Sequence, residues 1–154
     1  MRAAEKERRR LHAAFGRLYE RPWFEELSES LGCFYCGDLA GERDHCPPLS
    51  WVESRRLSDW KRDGVRFVVV PACGHCNNLL GDRPLFTLVE RAEFIERRLE
   101  TLYEREAALW SEEEIAEMSP EFQRTLRARK RALVLLMDRV RTAQWRCMRV
   151  RCEG

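Results

Sequence analysis

Four cysteines in two closely spaced pairs are the most informative feature of this chain. Both pairs have the spacing Cys-x-x-Cys, and their members are Cys33, Cys36, Cys73 and Cys76. Thiolates two residues apart hold one side of a tetrahedral zinc ion, and a second pair completes the tetrahedron. Ordinary buried cysteines rarely fall into two such pairs, and no βαβ pattern surrounds them to suggest a redox motif. The spacing therefore predicts a structural zinc site.

Three residues beside these cysteines, Asp44, His45 and Asn77, have side chains that suit phosphodiester hydrolysis. A histidine with an ordinary pKa of about 6.5 is a workable general base near neutral pH. Carboxylate and amide oxygens are the ligands that Mg²⁺ and Mn²⁺ prefer. Neighbours on a strand point to opposite faces, so Asp44 and His45 can act together only where the strand ends or is distorted, and Pro47-Pro48 supplies such a break. Each residue alone is also an ordinary turn, surface or cap residue, but together they predict a catalytic site.

Hydrophobic spacing predicts helices around a short β-rich centre. Residues 3–30 are expected to be helical, with Pro22 ending the helix or starting a second one at Trp23–Leu31. The β-branched run Arg66–Val70 predicts a strand, and a shorter strand should lead into Asp44-His45. A short helix should begin near Cys76 and stop at Leu80-Gly81.

Two longer amphipathic helices are predicted in the second half of the chain. The first covers residues 85–110, and the second starts at Ser119-Pro120 and runs to about Trp145. The expected buried stripe of the second helix consists of Phe122, Leu126, Leu133, Leu136, Met137 and Val140. Residues 84–118 are rich in acids and 119–154 in bases, so the two segments should pair within one chain or between subunits. The stripes would also allow a homodimer through helices 85–110 and 120–145.

The stretch from C-F-Y-C-G through R-D-H-C-P-P-L-S to V-P-A-C-G-H-C-N-N-L-L-G-D resembles the HNH endonucleases of the zinc-containing ββα-metal (treble-clef) type. The resemblance is closest to the phage recombination endonuclease VII group and covers residues 32–83. It implies that the four cysteines bind zinc, that His45 is the general base, and that Asp44 and Asn77 bind a catalytic Mg²⁺ or Mn²⁺. It further implies cleavage of DNA that leaves a 5′-phosphate and a 3′-hydroxyl.

The chain departs from that family pattern in two places. Many HNH proteins carry an asparagine between the Asp-His pair and the second cysteine pair, and none lies between His45 and Cys73. The second acid–histidine pair of the endonuclease VII group is replaced by Cys46-Pro47. Two alternatives to a nuclease therefore stay open. One is a non-catalytic zinc-finger DNA-binding or regulatory protein, and the other is an adaptor for a larger nucleic-acid machine.

Basic side chains supply candidate phosphate contacts. Those near the proposed centre are Arg43, Arg55, Arg56, Lys61, Arg62 and Arg83, and those on the C-terminal helix are Arg124, Arg127, Lys130 and Arg131. Trp51 and Trp60 are expected in local core rather than against bases. His75 should point outward. The sequence assigns no role to Cys46, and Cys147 and Cys152 are expected to be free thiols or a pair that can oxidise during handling.

Length and composition bound the fold and the function classes. The chain has 154 residues, a net charge of +2, 44% hydrophobic and 35% charged residues, and no apolar run long enough to span a membrane. We expect an intracellular, cytoplasmic α+β protein with a zinc-bound ββα-metal core and long flanking helices. Its predicted segments are an N-terminal helical part (1–31), the core (32–83) and a helical extension (84–154). DNA is the expected partner, in duplex, nicked, branched or single-stranded form, and the chemistry of the site would suit RNA as well.

Overall fold

A computed structural model of the chain describes residues 2–20 and 32–152, and the side chains of residues 3–20 and 32–142. Helices surround a small two-stranded sheet, in agreement with the predicted α+β class. The elements are α1 (Arg2–Phe15), a 3₁₀ helix (Gly16–Leu18), β1 (Glu42–Cys46), α2 (Leu49–Val52), α3 (Leu57–Arg62), β2 (Val68–Ala72), α4 (Gly74–Leu80), α5 (Leu88–Leu109), α6 (Glu112–Glu117) and α7 (Pro120–Cys152). Within the described part of the chain, no helix is both long and apolar enough to cross a membrane.

Strands β1 and β2 pair antiparallel in regular register. Asp44 lies opposite Val70, His45 opposite Val69, and the pairing continues to Cys46. The strand ends at Cys46, directly before Pro47-Pro48 as expected, but Asp44 and His45 are themselves regularly paired, so the break comes after them. Because the ladder is regular, the two side chains lie on opposite faces of the sheet. The second strand also begins and ends two residues later than predicted, at Val68 and Ala72.

The N-terminal helix is shorter than predicted. It ends at Phe15, well before Pro22, and a 3₁₀ turn follows. Tyr19 then adopts an extended backbone, and Glu20 pairs with β2: its N–H donates to Phe67 O (2.9 Å), and its carbonyl accepts from Val69 N (3.0 Å). The bonds offered by the sheet edge therefore replace the helical ones. The second predicted helix, Trp23–Leu31, lies outside the described residues.

Helix α4 follows β2 directly. It begins at Gly74, earlier than predicted, because Cys73 is its N-cap and accepts a hydrogen bond from Cys76 N on Sγ. It ends at Leu80 as predicted, and Gly81 has a φ of +52°, a conformation that glycine adopts without steric cost. The order β1, β2, α4 places both cysteine pairs and the Asp-His strand next to one another.

Helices α5 and α7 pack against each other over much of their length. A capping box between Thr87 and Glu90 starts α5. Ser119 is the N-cap of α7, as predicted, and its Oγ accepts a hydrogen bond from Phe122 N (3.4 Å). Among the residues whose side chains are described, five ion pairs connect the basic α7 with acidic positions elsewhere in the chain, and three of the acids lie on α5. The pairs are Arg129–Glu106, Lys130–Glu112, Arg139–Asp38, Arg141–Glu96 and Arg141–Glu100. The acidic and basic segments therefore pair within one chain, which was one of the two predicted arrangements.

The predicted buried stripe of α7 is right at its C-terminal end and wrong at its start. Met137 and Val140 are buried in the core with Ile95 and Leu99 of α5. Phe122, in the first turn of α7, is 45% exposed. This core supports the sheet from the side opposite to α1.

Candidate metal centre and adjoining cleft

The four paired cysteines converge in space. Their sulfur atoms all lie within 4.8 Å of one another, and all four residues are buried. Hydrogen bonds from the neighbouring thiols Cys36 and Cys76 lower the pKa of Cys33, which favours the thiolate form that metals bind. The cluster has the donor set of a structural zinc site and could hold a zinc ion, as the spacing predicted.

Local backbone geometry builds both halves of this cluster. In the first half, Gly37 N donates to Cys33 O (2.8 Å), and the turn needs the positive φ of Gly37, +75°. Phe34 N donates to Pro71 O (2.8 Å), which fastens this turn to β2. In the second half, Cys73 and Cys76 start α4, so the residue after Cys76 is fixed by the same turn. That residue is Asn77.

Asp44 is held on the core side of β1. It is 3% exposed, and both of its carboxylate oxygens accept from Arg91 of α5: Nε at 2.8 Å and Nη2 at 2.5 Å. The Tyr35 hydroxyl donates to the same carboxylate. Burial raises the pKa of Asp44 above its ordinary value, while the Arg91 guanidinium acts in the opposite direction. The bidentate pair therefore occupies the oxygens that a metal ion would need.

His45 lies on the opposite face of β1, against the N-terminal segment. Its ring packs edge to face with Tyr19 (centroids 4.9 Å apart) and with His12 (5.7 Å). Burial, followed by the charges of His12, Arg43 and other nearby cations, lowers its pKa to about 4. The imidazole is therefore neutral at physiological pH, and a pKa this low also makes it a weaker base than an ordinary histidine.

An open cleft of about 780 Å³ lies between α1, the start of β1 and α4. His45 and Asn77 both line it, so the structure brings these two predicted site residues together; Asp44 is absent from the lining. Three arginines give the walls positive charge: Arg8, Arg9 and Arg43. A cleft with basic walls concentrates anions such as phosphate groups.

Glu42 and Asn77 form a polar pair inside this cleft. Asn77 Nδ2 donates to Glu42 Oε2 at 2.5 Å. Glu42 is the first residue of β1 and is exposed, unlike Asp44 two positions later. The carboxylate and the amide carry the oxygen chemistry suited to a divalent cation, whereas the Asp44 carboxylate is already used.

Several basic residues predicted to bind nucleic acid have other contacts in the fold. Arg55 pairs with Asp63 and stacks on the Trp60 ring (4.7 Å). Arg83 donates to the carbonyls of Leu79 and Leu80, both at 3.2 Å. Arg62 and Lys130 lie 3.3 Å and 3.5 Å from the carboxylates of Asp59 and Glu112. These contacts reduce their availability to phosphate.

The remaining candidates differ in position. Arg43 lines the cleft. Five others are exposed or nearly so and make no ion pair with any described residue: Arg56, Lys61, Arg124, Arg127 and Arg131. His75 is exposed, as predicted, and Trp60 is fully buried with its Nε1 donating to Val52 O (3.3 Å), also as predicted.

Sequence reasoning did not identify Glu42, His12, Arg8 or Arg9 as site residues. Glu42 precedes Asp44 by two residues, so strand alternation puts it on the core face of Asp44 and would not have placed it in the cleft. His12, Arg8 and Arg9 come from α1, and no local signal shows that α1 docks beside His45. The docking rests on the bidentate pair of Arg10 with Glu53 (2.7 and 2.8 Å) and on buried Leu11.

Comparison of the chain with protein-family models, with curated proteins and with solved structures finds no match.

Proposed function

We propose that this protein is a metal-dependent endonuclease of the HNH type, built on a zinc-bound ββα-metal (treble-clef) core. The observation that carries the proposal is the placement of His45. A neutral imidazole opens onto a cleft with three arginines on its walls and a carboxylate–amide pair beside it. Such a cleft offers a base for the attacking water, positive charge for the phosphoryl oxygens and oxygen ligands for a cation, a combination that suits metal-dependent phosphodiester hydrolysis.

In the proposed reaction, a nitrogen of His45 takes a proton from a water molecule as the water oxygen attacks phosphorus. The bond from phosphorus to the leaving deoxyribose 3′ oxygen then breaks, and that oxygen acquires a proton from solvent. Arg8 and Arg43 bind and orient the phosphodiester through their guanidinium groups, while Arg9, also on the cleft wall, is paired with Glu5 (2.6 Å). A bound divalent cation, held by Asn77 together with a cleft carboxylate, would supply neutralisation of phosphoryl charge.

The four cysteines have a positioning role in this proposal. A zinc ion held by them fixes the first turn of α4, and that turn determines where Asn77 lies. DNA remains the proposed substrate, with branched DNA as one form to test.

The decisive experiment compares cleavage of supercoiled plasmid and of a four-way junction with Mg²⁺ or Mn²⁺. We expect the native protein to cut and His45→Ala to cut at least about 100-fold more slowly. His75→Ala is the matched control, because His75 is an exposed histidine between the two zinc-cluster cysteines of α4 and lies outside the cleft. Its rate should stay close to native, and the zinc content of all three proteins should be equal.

A non-catalytic zinc-bound DNA-binding protein is the second candidate function. It is favoured by the pairing of Asp44 with Arg91, which uses the acid that the family pattern gives to the catalytic metal. In that case no metal would support cutting by a folded, zinc-loaded protein. Salt-sensitive binding of DNA, measured by fluorescence anisotropy, would persist. Absence of both cutting and binding would favour an adaptor.

A further inference from the structure

We propose that Glu42, rather than Asp44, is the carboxylate that joins Asn77 in binding the divalent cation. The inference rests on the proposed function for its biological meaning, but the cation site itself can be measured without any nucleic acid. It assigns the metal to a different residue from the one that the Asp-His motif indicates.

The Asp44 carboxylate is already held by buried contacts within the fold. Arg91 is 1% exposed, and its guanidinium donates to both Asp44 oxygens and to Leu85 O (3.2 Å). Moving Asp44 towards a metal would leave a buried positive charge unpaired, which is strongly destabilising. Tyr35, also buried, would lose its acceptor.

Glu42 lies beside Asn77 in the cleft, where the motif would have placed the carboxylate of Asp44. Alternation puts positions 42 and 44 on the same face of β1, and at position 42 the strand is just beginning, so the longer glutamate reaches the cleft. Its carboxylate already touches the Asn77 amide. The Asn77 amide also carries a carbonyl oxygen, so rotation about its Cβ–Cγ bond presents oxygen to the Glu42 side.

The space around the Glu42 carboxylate favours the same assignment. A Cβ atom at position 74 would lie 3.3 Å from Glu42 Oε1, tighter than ordinary van der Waals contact. Gly74 therefore leaves room for the carboxylate beside the first turn of α4, where Asn77 is fixed. One carboxylate and one amide oxygen, completed by water and phosphate oxygens, is a ligand set typical of Mg²⁺ and Mn²⁺.

The test is Mn²⁺ binding to the zinc-loaded full chain, measured by electron paramagnetic resonance and calorimetry. Glu42→Gln should weaken Mn²⁺ binding by at least about tenfold without lowering the melting temperature, because the side chain is exposed and keeps its size. Glu104→Gln, an exposed glutamate of α5 outside the cleft, is the matched control and should bind as the native protein does.

The rival assignment is tested with the double variant Asp44→Asn with Arg91→Met, which removes both buried charges together. Its near-ultraviolet circular dichroism reports whether the fold is intact, and its Mn²⁺ affinity should stay within about threefold of native. Our assignment is overturned if Glu42→Gln binds Mn²⁺ normally, if the folded double variant loses Mn²⁺, or if the native chain binds none. Plasmid cutting that persists in Glu42→Gln would refute the assignment and leave the nuclease standing. Mn²⁺ binding that depends on Glu42, without any plasmid cutting, would support the assignment and refute the proposed nuclease.

Discussion

Removal of the Asp44 carboxylate should destabilise the fold strongly, whatever the protein does. Asp44→Ala leaves the Arg91 guanidinium, 1% exposed, hydrogen-bonded to the Leu85 carbonyl but without its carboxylate partner. Breaking one side of a buried ion pair costs about 3–5 kcal/mol. Because a domain of this kind is stable by only about 5–15 kcal/mol, that loss is a large share of the total.

Urea denaturation followed by far-ultraviolet circular dichroism measures this loss. With a slope of about 1–3 kcal/mol per molar urea, the midpoint should fall by at least about 1 M. The double variant Asp44→Asn with Arg91→Met should recover most of the stability, since no lone charge remains buried. A loss below about 1 kcal/mol in Asp44→Ala, or a double variant no more stable than the single one, would refute the buried-pair argument.

Three further predictions follow from the same contacts. Burial and nearby cations lower the pKa of His45 from 6.5 to about 4, so between these pH values the unfolded chain binds more protons than the folded one. The free energy of unfolding should therefore rise with pH across that window, and it should rise less in His45→Gln. Denaturation midpoints from pH 4 to 7 measure both effects. Cys76→Ser should abolish stoichiometric zinc and loosen the core, as metal analysis and circular dichroism would show; full zinc retention would contradict the cluster. Arg43→Ala should weaken DNA binding and reduce the slope of log affinity against log salt by about one, whereas Arg55→Ala, already paired with Asp63, should leave the slope unchanged.

The features predicted correctly from sequence are those encoded by neighbouring residues. The Cys-x-x-Cys spacing predicted a cluster that the fold brings together, and Ser119-Pro120 and Gly81 marked a helix start and a helix end. Each depends on local backbone chemistry within a few positions, such as a cap bond or a positive φ. Local rules of this kind hold whatever the rest of the chain does.

The features missed depend on partners far away in the chain. Asp44 meets Arg91 across 47 residues, and nothing near either position announces the pair. Likewise, α1 ends at Phe15 because the following residues pair with β2, and its docking brings His12 to His45. A sequence pattern gives residue types for a site, but tertiary packing decides which of them face the cleft.

The opposite orientations of Asp44 and His45 have a consequence for how homologous sequences should be interpreted. Asp44 is buried in the core and His45 lines the cleft, so selection for stability would act on the first residue and selection for activity on the second. In an evolutionary lineage that lost activity, His45 would be free to drift while Asp44 and Arg91 were kept or replaced together. A homologue that keeps Asp44 but not His45 would then share the fold without the activity. Covariation between positions 44 and 91 would show that the aspartate is kept for the buried ion pair.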